Sequence, residues 1–466
     1  MEPLVLAIDL GSSSTRSAVF DSRGHRLEES AATAHYTFCY TKDGGAELDP
    51  AALLRATRLC VQKTRRVVRR PSAAIAGSAF WHGLLGLDRQ GRPLTPVYTW
   101  ADTRAVDAAA QLRTELKERE IQARTGCMLR APFWPAKLRW LRNADRAHWR
   151  RVRSWVSPGS WIFRELFGTD ATSHSMASGT GLYNLRQRTW DTELCELCGV
   201  TAAQLGAIDD LPSGQAQVFS PIGDGAASNL GSGADRAGLV AINIGTSAAA
   251  RMVQDGPTRK RLPFGLFRYV VDEQRTVFGG AVSNAGNLRN WCTRELNLGD
   301  GSDAERALGR EAAASDRLTV LPFLVSERAP TWPENIRGTI AGLTAATSAA
   351  DFFRAATTAT YYRLADIFDS IESTTAPVEQ VIVSGGVLHS PRALTLLADC
   401  LGRDLHLSRE LESSLRGAAV HGLALLGCEP RQARAARVVR HRPALSIRHQ
   451  ERRRAQSHFE RLMWTR

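Results

Sequence analysis

Two short stretches far apart in the chain are near copies of each other. Ala7–Arg16 reads AIDLGSSSTR, and Ala241–Ala248 reads AINIGTSA. Each is an apolar run that turns at a glycine followed by hydroxyl residues. Glycine permits a tight turn and the close approach of another group to the backbone. Successive N–H groups in such a turn, with hydroxyls beside them, form an anion-binding concavity. A chain that carries this turn twice is built from two halves of related design. The copies differ in charge at one position, Asp9 against Asn243. The turn is not a Walker loop, because no GxxxxGK[ST] occurs in the chain.

The length of 466 residues is too great for one core and suits two or three domains. The net charge of +13 comes from 60 Lys+Arg against 47 Asp+Glu, most of the cations being Arg. These are scattered, with local runs at Arg65–Arg70, Arg142–Arg153 and Arg431–Arg454. A nucleic-acid binder gathers them into one patch with interleaved aromatics. The expectation is a solvated Arg-rich surface whose field suits small anions, without a nucleic-acid partner. No apolar run reaches the roughly 20 residues of a membrane helix. The N-terminal MEPLVLAIDLG runs straight into a strand and does not read as a signal peptide. A cytoplasmic protein without a membrane partner is expected. The eight cysteines read as mostly buried free thiols, and Cys195 and Cys198 form a lone CxxC on a helix ending near Gly199.

In the first half, Leu4–Leu10 and Arg16–Asp21 read as strands flanking GSSST. Asp49-Pro50 opens a capped helix, Ala105–Glu120 reads as one helix, another starts after Pro135, and Ser157-Pro158 opens a helix through Phe167. Between them, AIAGSAFWHGLLGLDRQGRPLTPVYTWADTR reads as two strands around a turn at Arg89–Gly91. Trp81, His82, Trp100, Asp102 and Arg104 fall at element ends. Aromatic faces beside hydrogen-bonding groups are what a polyhydroxylated ligand requires. Each of these residues taken singly also fits core packing. Asp224 lies between Gly223 and Gly225, open to a ligand and placed to cap the following AASNL helix.

With Asp9, Asp224, two phosphate-type hairpins and the aromatic cluster together, the chain resembles the FGGY carbohydrate kinases over nearly its whole length. DLGSSSTR is similar to the family's first phosphate loop and NIGTS to its second. AGSAFWHGLLGLDRQGRPLTPVYTWADTR is similar to its sugar-binding segment, and GDGAASNLGSG to its catalytic-aspartate segment. Lys137–Asn143 partly matches one family signature and Ser384–Leu405 the other. LPFLVSERAPTWPENIRGTIAGL is also family-like. FWH with TWADTR, GDGAASN and NIGTS is most similar to the gluconokinase branch.

The resemblance implies an α/β fold of the two-lobed sugar kinase, actin and Hsp70 type (ribonuclease H-like), with a duplicated domain and a central cleft. Residues 1–235 would form the N-terminal lobe, with sugar site, first phosphate loop and catalytic Asp. Residues 236–466 would form the C-terminal lobe, with second phosphate loop and adenosine site. The implied reaction is ATP-dependent phosphorylation of D-gluconate to 6-phosphogluconate. The alternatives are a kinase for another polyol or ketose, such as xylulose or glycerol, and a catalytically impaired relative that binds sugar or nucleotide. Asp224 would accept the hydroxyl proton, and Asp9 would hold Mg²⁺ through water. Gly11, Ser12, Ser13, Ser14, Thr15 and Arg16, with Gly245, Thr246 and Ser247, would cradle the phosphates of ATP. Gly385 and Gly386 would lie against the adenosine. Trp81, His82, Asp102 and Arg104 would contact the sugar acid, and Arg130 would clamp its carboxylate in two hydrogen bonds. The oligomeric state is not readable from the sequence, and a homodimer is one option.

In the second half, hairpin strands are expected at Leu266–Asp272 and Arg275–Gly279, and a further strand at Leu318–Leu324. Helices are expected at Ala349–Ile371, Pro391–Leu401 and Leu411–Leu426, the last packed closely on the sheet through Gly417. Glu327 and Arg328 fit either a functional role or a surface pair, and neither is given a catalytic role. The basic tail from Arg437 carries Phe459, Leu462 and Trp464 at helical spacing and is expected to dock on its own domain. The connection from Leu211 to Asp224 is short, so the strand leading to Asp224 is expected to be at risk of truncation.

Overall fold

The computed structural model describes residues 2–211, 217–256, 261–299, 301–309, 318–334, 336–375, 377–433 and 435–464. Its first sheet is built on the strand Val5–Leu10, every residue of which is buried. Such a strand is covered on both faces, so it reads as a continuous apolar run rather than an alternation. It pairs antiparallel with Ser14–Phe20 and parallel with Ala74–Ala79. Ser14–Phe20 in turn pairs antiparallel with Ala32–His35. On the far side of Ala74–Ala79, two short parallel strands, Gln217–Val218 and Ile222–Gly223, complete the sheet.

The second sheet repeats the plan. Leu239–Ile244 pairs antiparallel with Ala248–Asp255 and parallel with Gln380–Ser384. Gln380–Ser384 pairs parallel with Leu405–Ser408, and Ala248–Asp255 antiparallel with Arg275–Val282. Phe267–Val270 and Ala435–Val439 extend the two edges. The duplication legible in two hairpins therefore extends to whole sheets.

The halves meet through two helices, Asp224–Ser232 and Ser413–Leu425. A Cβ on Gly417 would lie 1.7 Å from the Ala227 carbonyl oxygen, and one on Gly231 would lie 1.8 Å from that of Ser413. Only glycine lets these backbones touch. The Ser413–Leu425 helix also packs on the first sheet, as expected: Leu415, Ala418 and Ala419 join Ala7, Ala18 and Phe20. Gly417 itself faces the other helix rather than the sheet.

The short connection before Asp224 retains its strand in two pieces, both in register with Ala74–Ala79. Residues 212–216 lie outside the described residues. The expected helix Ala105–Glu120 is instead two, Val106–Glu115 and Glu118–Thr125, with Leu116 and Lys117 extended between them. Leu112 and Ile121 are buried in one apolar cluster. In an unbroken helix nine residues turn through about two and a half revolutions, which would place them on opposite faces. Caps at Asp49 and Ser157 form as expected. Cys195 and Cys198 are buried in Thr192–Cys198, which ends at the left-handed Gly199.

The C-terminal helix Pro443–Trp464 docks on its own half. Phe459 and Met463 pack on Leu321, Phe323 and Ile336, whereas Leu462 is exposed. The Trp464 side chain lies outside the described residues. Much of the buried face is polar: Ser446, His449, Gln456 and Glu460. No described helix is long and apolar enough to cross a membrane.

The helix contact makes a direct prediction. Gly417→Val should force the two helices apart and cost about 3 kcal/mol, read as a lowered urea midpoint with unchanged slope.

Candidate functional site

A cavity of about 130 Å³ lies between the halves. Ser12, Trp81, His82, Trp100 and Asp224 line it from the first half, and Asn243, Ser247, Arg251, Phe267, Tyr269 and Arg328 from the second. A larger cavity of about 1240 Å³ is lined by Gly245, Thr246, Gly286, Arg289, Asn290, Gly386 and Ser390. The second hairpin therefore borders both, with Gly245 and Thr246 on the large cavity and Ser247 on the small one. Gly385 supports that wall: at φ +90° it brings its backbone where a Cβ would lie 2.6 Å from the Ile244 carbonyl oxygen.

Asp224 is the first residue of its helix, and Gly223 is the N-cap. Its Oδ1 accepts a hydrogen bond from Gly225 N at 2.8 Å. The flanking glycines make room for neighbouring side chains. A Cβ at Gly223 would lie 1.8 Å from Trp81 Cε2, and one at Gly225 would lie 2.6 Å from Trp81 Cζ3 and 2.8 Å from Arg251 Nε. Burial raises the Asp224 carboxyl to about 6; the positive charge of Arg251 opposes the rise and the negative charge of Asp9 adds to it.

Asp9 is the penultimate residue of the central strand and is buried. Its Oδ1 accepts from Ser78 Oγ at 2.5 Å and its Oδ2 from Arg16 Nη1 at 3.2 Å. Burial still raises its pKa, against the opposing pull of Ser78 and Arg16. Arg16 also reaches Glu412 at 3.1 Å. The second half repeats this arrangement without the charge: Asn243 Nδ2 donates to Ser384 Oγ at 3.0 Å. In the first hairpin Gly11 N donates to Ser14 O at 3.0 Å and closes the turn. Ser12 and Ser13 are exposed. Ser14 and Thr15 are buried, and Thr15 Oγ1 turns inward to donate to the Asp9 carbonyl. The Thr15 hydroxyl is therefore taken up by the backbone of the central strand.

Trp81 Nε1 donates to Ser175 O at 3.0 Å, and its ring meets Tyr269 edge-on at 4.7 Å. His82 sits at φ +67°, uncommon for a residue with a side chain. Its Nδ1 bonds Gly179 O at 2.6 Å, and burial pulls its pKa to about 3, so the ring is neutral. Buried Lys137 holds this backbone by donating Nζ to the carbonyls of His82, Tyr98 and Thr99 at 2.8, 3.4 and 2.6 Å.

Three expected sugar contacts have other partners. Buried Asp102 accepts from Arg104 Nη2 at 2.5 Å and from Ala46 N at 3.2 Å. Arg104 also donates to Glu47 and lies over the Trp140 ring at 4.6 Å. The two side chains satisfy each other beneath the strand ends and do not line the cavity. Arg130 donates through Nε and Nη2 to Glu118 and through Nη1 to Glu334, at 2.9, 3.0 and 2.9 Å. Arg113 joins it on Glu334 at 2.7 Å. The Arg130 fork thus ties the first half to the loop that carries Glu334 and engages two protein carboxylates.

Residues passed over in the sequence take their place. Glu327 and Arg328 are not a surface pair. Glu327 is buried and accepts from Ser283 N and Asn284 Nδ2 at 2.5 and 3.0 Å. Arg328 lines the cavity, donates to Ser283 Oγ at 3.1 Å and lies 4.9 Å over the Trp100 ring. Trp100 Nε1 donates to Ser12 Oγ at 3.2 Å, linking Arg328 to the first hairpin. Arg251 is a charge inside an apolar strand, AAARMV, which was the signal available in the sequence.

Two sheets of repeated design, with a hairpin of each bordering one cavity that holds the Asp224 carboxylate, define a two-lobed phosphotransferase architecture. The chain belongs to the FGGY family of carbohydrate kinases: the family's N-terminal domain matches residues 4–228 and its C-terminal domain residues 240–426. It is similar to a gluconokinase of Bacillus subtilis, 29% identical over 463 residues, covering 92% of this chain and 88% of the relative. It is also similar to a glycerol kinase of a Polaromonas species, 29% identical over 454 residues, covering 89% of each chain. Among solved structures, a gluconate kinase from Lactobacillus acidophilus superposes with a TM-score of 0.90 at 25% identity, covering 99% of this chain and 98% of the other. A ligand-bound xylulose kinase from the same organism gives the same values.

The partners of Arg130 change what its removal should do. Arg130→Ala leaves Glu118 without its fork and should lower stability by about 3 kcal/mol, measured by urea unfolding. The Michaelis constant for the sugar should change less than threefold, about 0.7 kcal/mol.

Proposed function

We propose that this chain transfers the terminal phosphoryl group of ATP to a hydroxyl of a small sugar acid, with D-gluconate as the acceptor. The observation that carries the reading is Asp224, a half-buried carboxylate lining the same cavity as Ser12 and Ser247 of the two hydroxyl-bearing hairpins. Phosphoryl transfer demands little beyond phosphate cradles, a metal holder and a carboxylate at the attacking hydroxyl. Asp224 takes the role of proton acceptor. Its pKa of about 6 leaves it ionised at neutral pH while keeping it basic enough to receive a proton. Residues 1–235 are assigned the sugar site and residues 236–466 the nucleotide site.

The larger cavity, walled by Gly245, Thr246 and Gly386, receives the nucleotide in this reading. Ser12 and Ser247 flank the transferring phosphate from opposite sides. Trp81 and Tyr269 offer ring faces, and neutral His82 a ring nitrogen, to the acceptor. Asp9 fits a Mg²⁺ that keeps its water. It is one carboxylate whose burial its two protein donors do not fully offset, as its raised pKa records. Bound there, the ion would neutralise phosphate charge. Gluconate is favoured over xylulose or glycerol by the gluconokinase relatives and by the two arginines in the acceptor cavity.

Three outcomes are expected. A coupled ADP-release assay over gluconate, xylulose and glycerol should give turnover with gluconate well above the others; equal rates on all three would reject the assignment. Asp224→Asn should lower kcat by about 10³-fold or more while nucleotide affinity stays near that of the parent. For the parent, kcat/KM should fall tenfold per pH unit below about 6, because protonation removes the base; a flat profile down to pH 5 would exclude Asp224 from that role.

A further inference from the structure

We propose that Arg251 is the specificity determinant of the acceptor site: its guanidinium pairs with a carboxylate on the acceptor, so the site selects a sugar acid over the corresponding neutral polyol. This deepens the sugar-kinase reading and rests on it.

Arg251 rises from the strand Ala248–Asp255 into the acceptor cavity. Its Nε is buried and has no hydrogen-bond acceptor. Among the described residues it forms no ion pair. A guanidinium carries five donors in a fixed fork, and leaving one dry and unmatched is costly. The chain nevertheless makes room for it, since a Cβ at Gly225 would lie 2.8 Å from that nitrogen. Arg251 and Arg328 both line the cavity with Asp224. Arg328 is answered by the adjacent buried carboxylate of Glu327 and donates to Ser283 Oγ and the Val282 carbonyl at 3.1 and 3.2 Å. His82 adds no charge, since burial holds its ring neutral. A carboxylate matches the open fork of Arg251 in two parallel hydrogen bonds.

The transferring phosphate is also an oxyanion, so the same chemistry has a second source. Placement near Trp81 is the ground for assigning Arg251 to the acceptor: the Cβ position at Gly225 is 2.8 Å from Arg251 Nε and 2.6 Å from the Trp81 ring, and Trp81 stands beside His82 in the first-half wall. Ser12 and Ser247 line the same cavity, so the ATP arm of the test separates the two sources.

The test is calorimetric titration of nucleotide-free protein with gluconate and with glucitol, the same carbon chain bearing CH₂OH in place of the carboxylate. The parent should bind gluconate at least about 100-fold more tightly. Arg251→Met should lose most of that difference, and Arg251→Lys should retain part of it. Near-equal affinity of the parent for both ligands overturns the proposal, and this arm needs no variant to fold. Equal weakening of both ligands in Arg251→Met overturns it in favour of a packing role. Unchanged gluconate affinity with a raised KM for ATP overturns it in favour of the phosphate. An effect exerted only through Asp224 would shift the pH profile and leave the gluconate-to-glucitol ratio intact, which also overturns it. The kinase reading fails separately. If gluconate binds through Arg251 but no ADP is released, phosphoryl transfer falls and the carboxylate contact stands.

Discussion

Backbone contact between the helices Asp224–Ser232 and Ser413–Leu425 fixes the site. Gly231 and Gly417 allow an approach that no side chain would permit. Ser228 and Ser413 hydroxyls meet across the contact at 3.0 Å, and Ser414 Oγ donates to the Asp224 carbonyl at 3.4 Å. The helix carrying Asp224 is thus set against an element from the other end of the chain. That element also packs on the sheet bearing Asp9. Protein interiors resist small changes in volume, so the distance between the two carboxylates is set by packing far from any ligand.

The same economy of contact shapes the cavity wall. Arg328 stands at the end of a buried chain of polar groups. Arg363 donates to Glu460 on the C-terminal helix at 2.7 Å, and to the Ala329 carbonyl and Thr331 Oγ1 at 3.1 and 3.0 Å. Glu327 anchors the preceding residue to Ser283 and Asn284. The loop from Glu327 to Glu334 is therefore pinned by its own half, by Arg113 and Arg130 of the other, and by the stacking of Arg328 on Trp100. A side chain held from several directions loses little entropy when it meets a ligand.

Sequence reading succeeded where structure depends on local geometry. The hairpins, the caps at Asp49 and Ser157 and the Gly-Asp-Gly run each declare themselves within a few residues, because turns and caps need particular side chains at fixed offsets. It did not show which charges pair with one another. Asp102 and Arg104, singled out beside aromatics at element ends, pair with each other, Arg104 also reaches Glu47, and Arg130 pairs with Glu118 and Glu334. Arg251 was overlooked. Within AAARMV it reads as an irregularity in a strand, and only the cavity shows that it is enclosed beside Trp81 without an ion-pair partner.

By itself the sequence determined the duplicated design, the family and the two carboxylates, because those rest on short motifs whose backbone demands are local. It also determined that one copy of the hairpin carries Asp9 and the other Asn243. The tertiary structure decided how charge is distributed around them. It pairs Asp9 with Ser78 and Asn243 with Ser384, joins Arg130 to two glutamates, and leaves Arg251 Nε without an acceptor among the described residues lining the small cavity. Electrostatic roles depend on which groups are desolvated together, and residues hundreds of positions apart in the chain become neighbours only when the two halves pack.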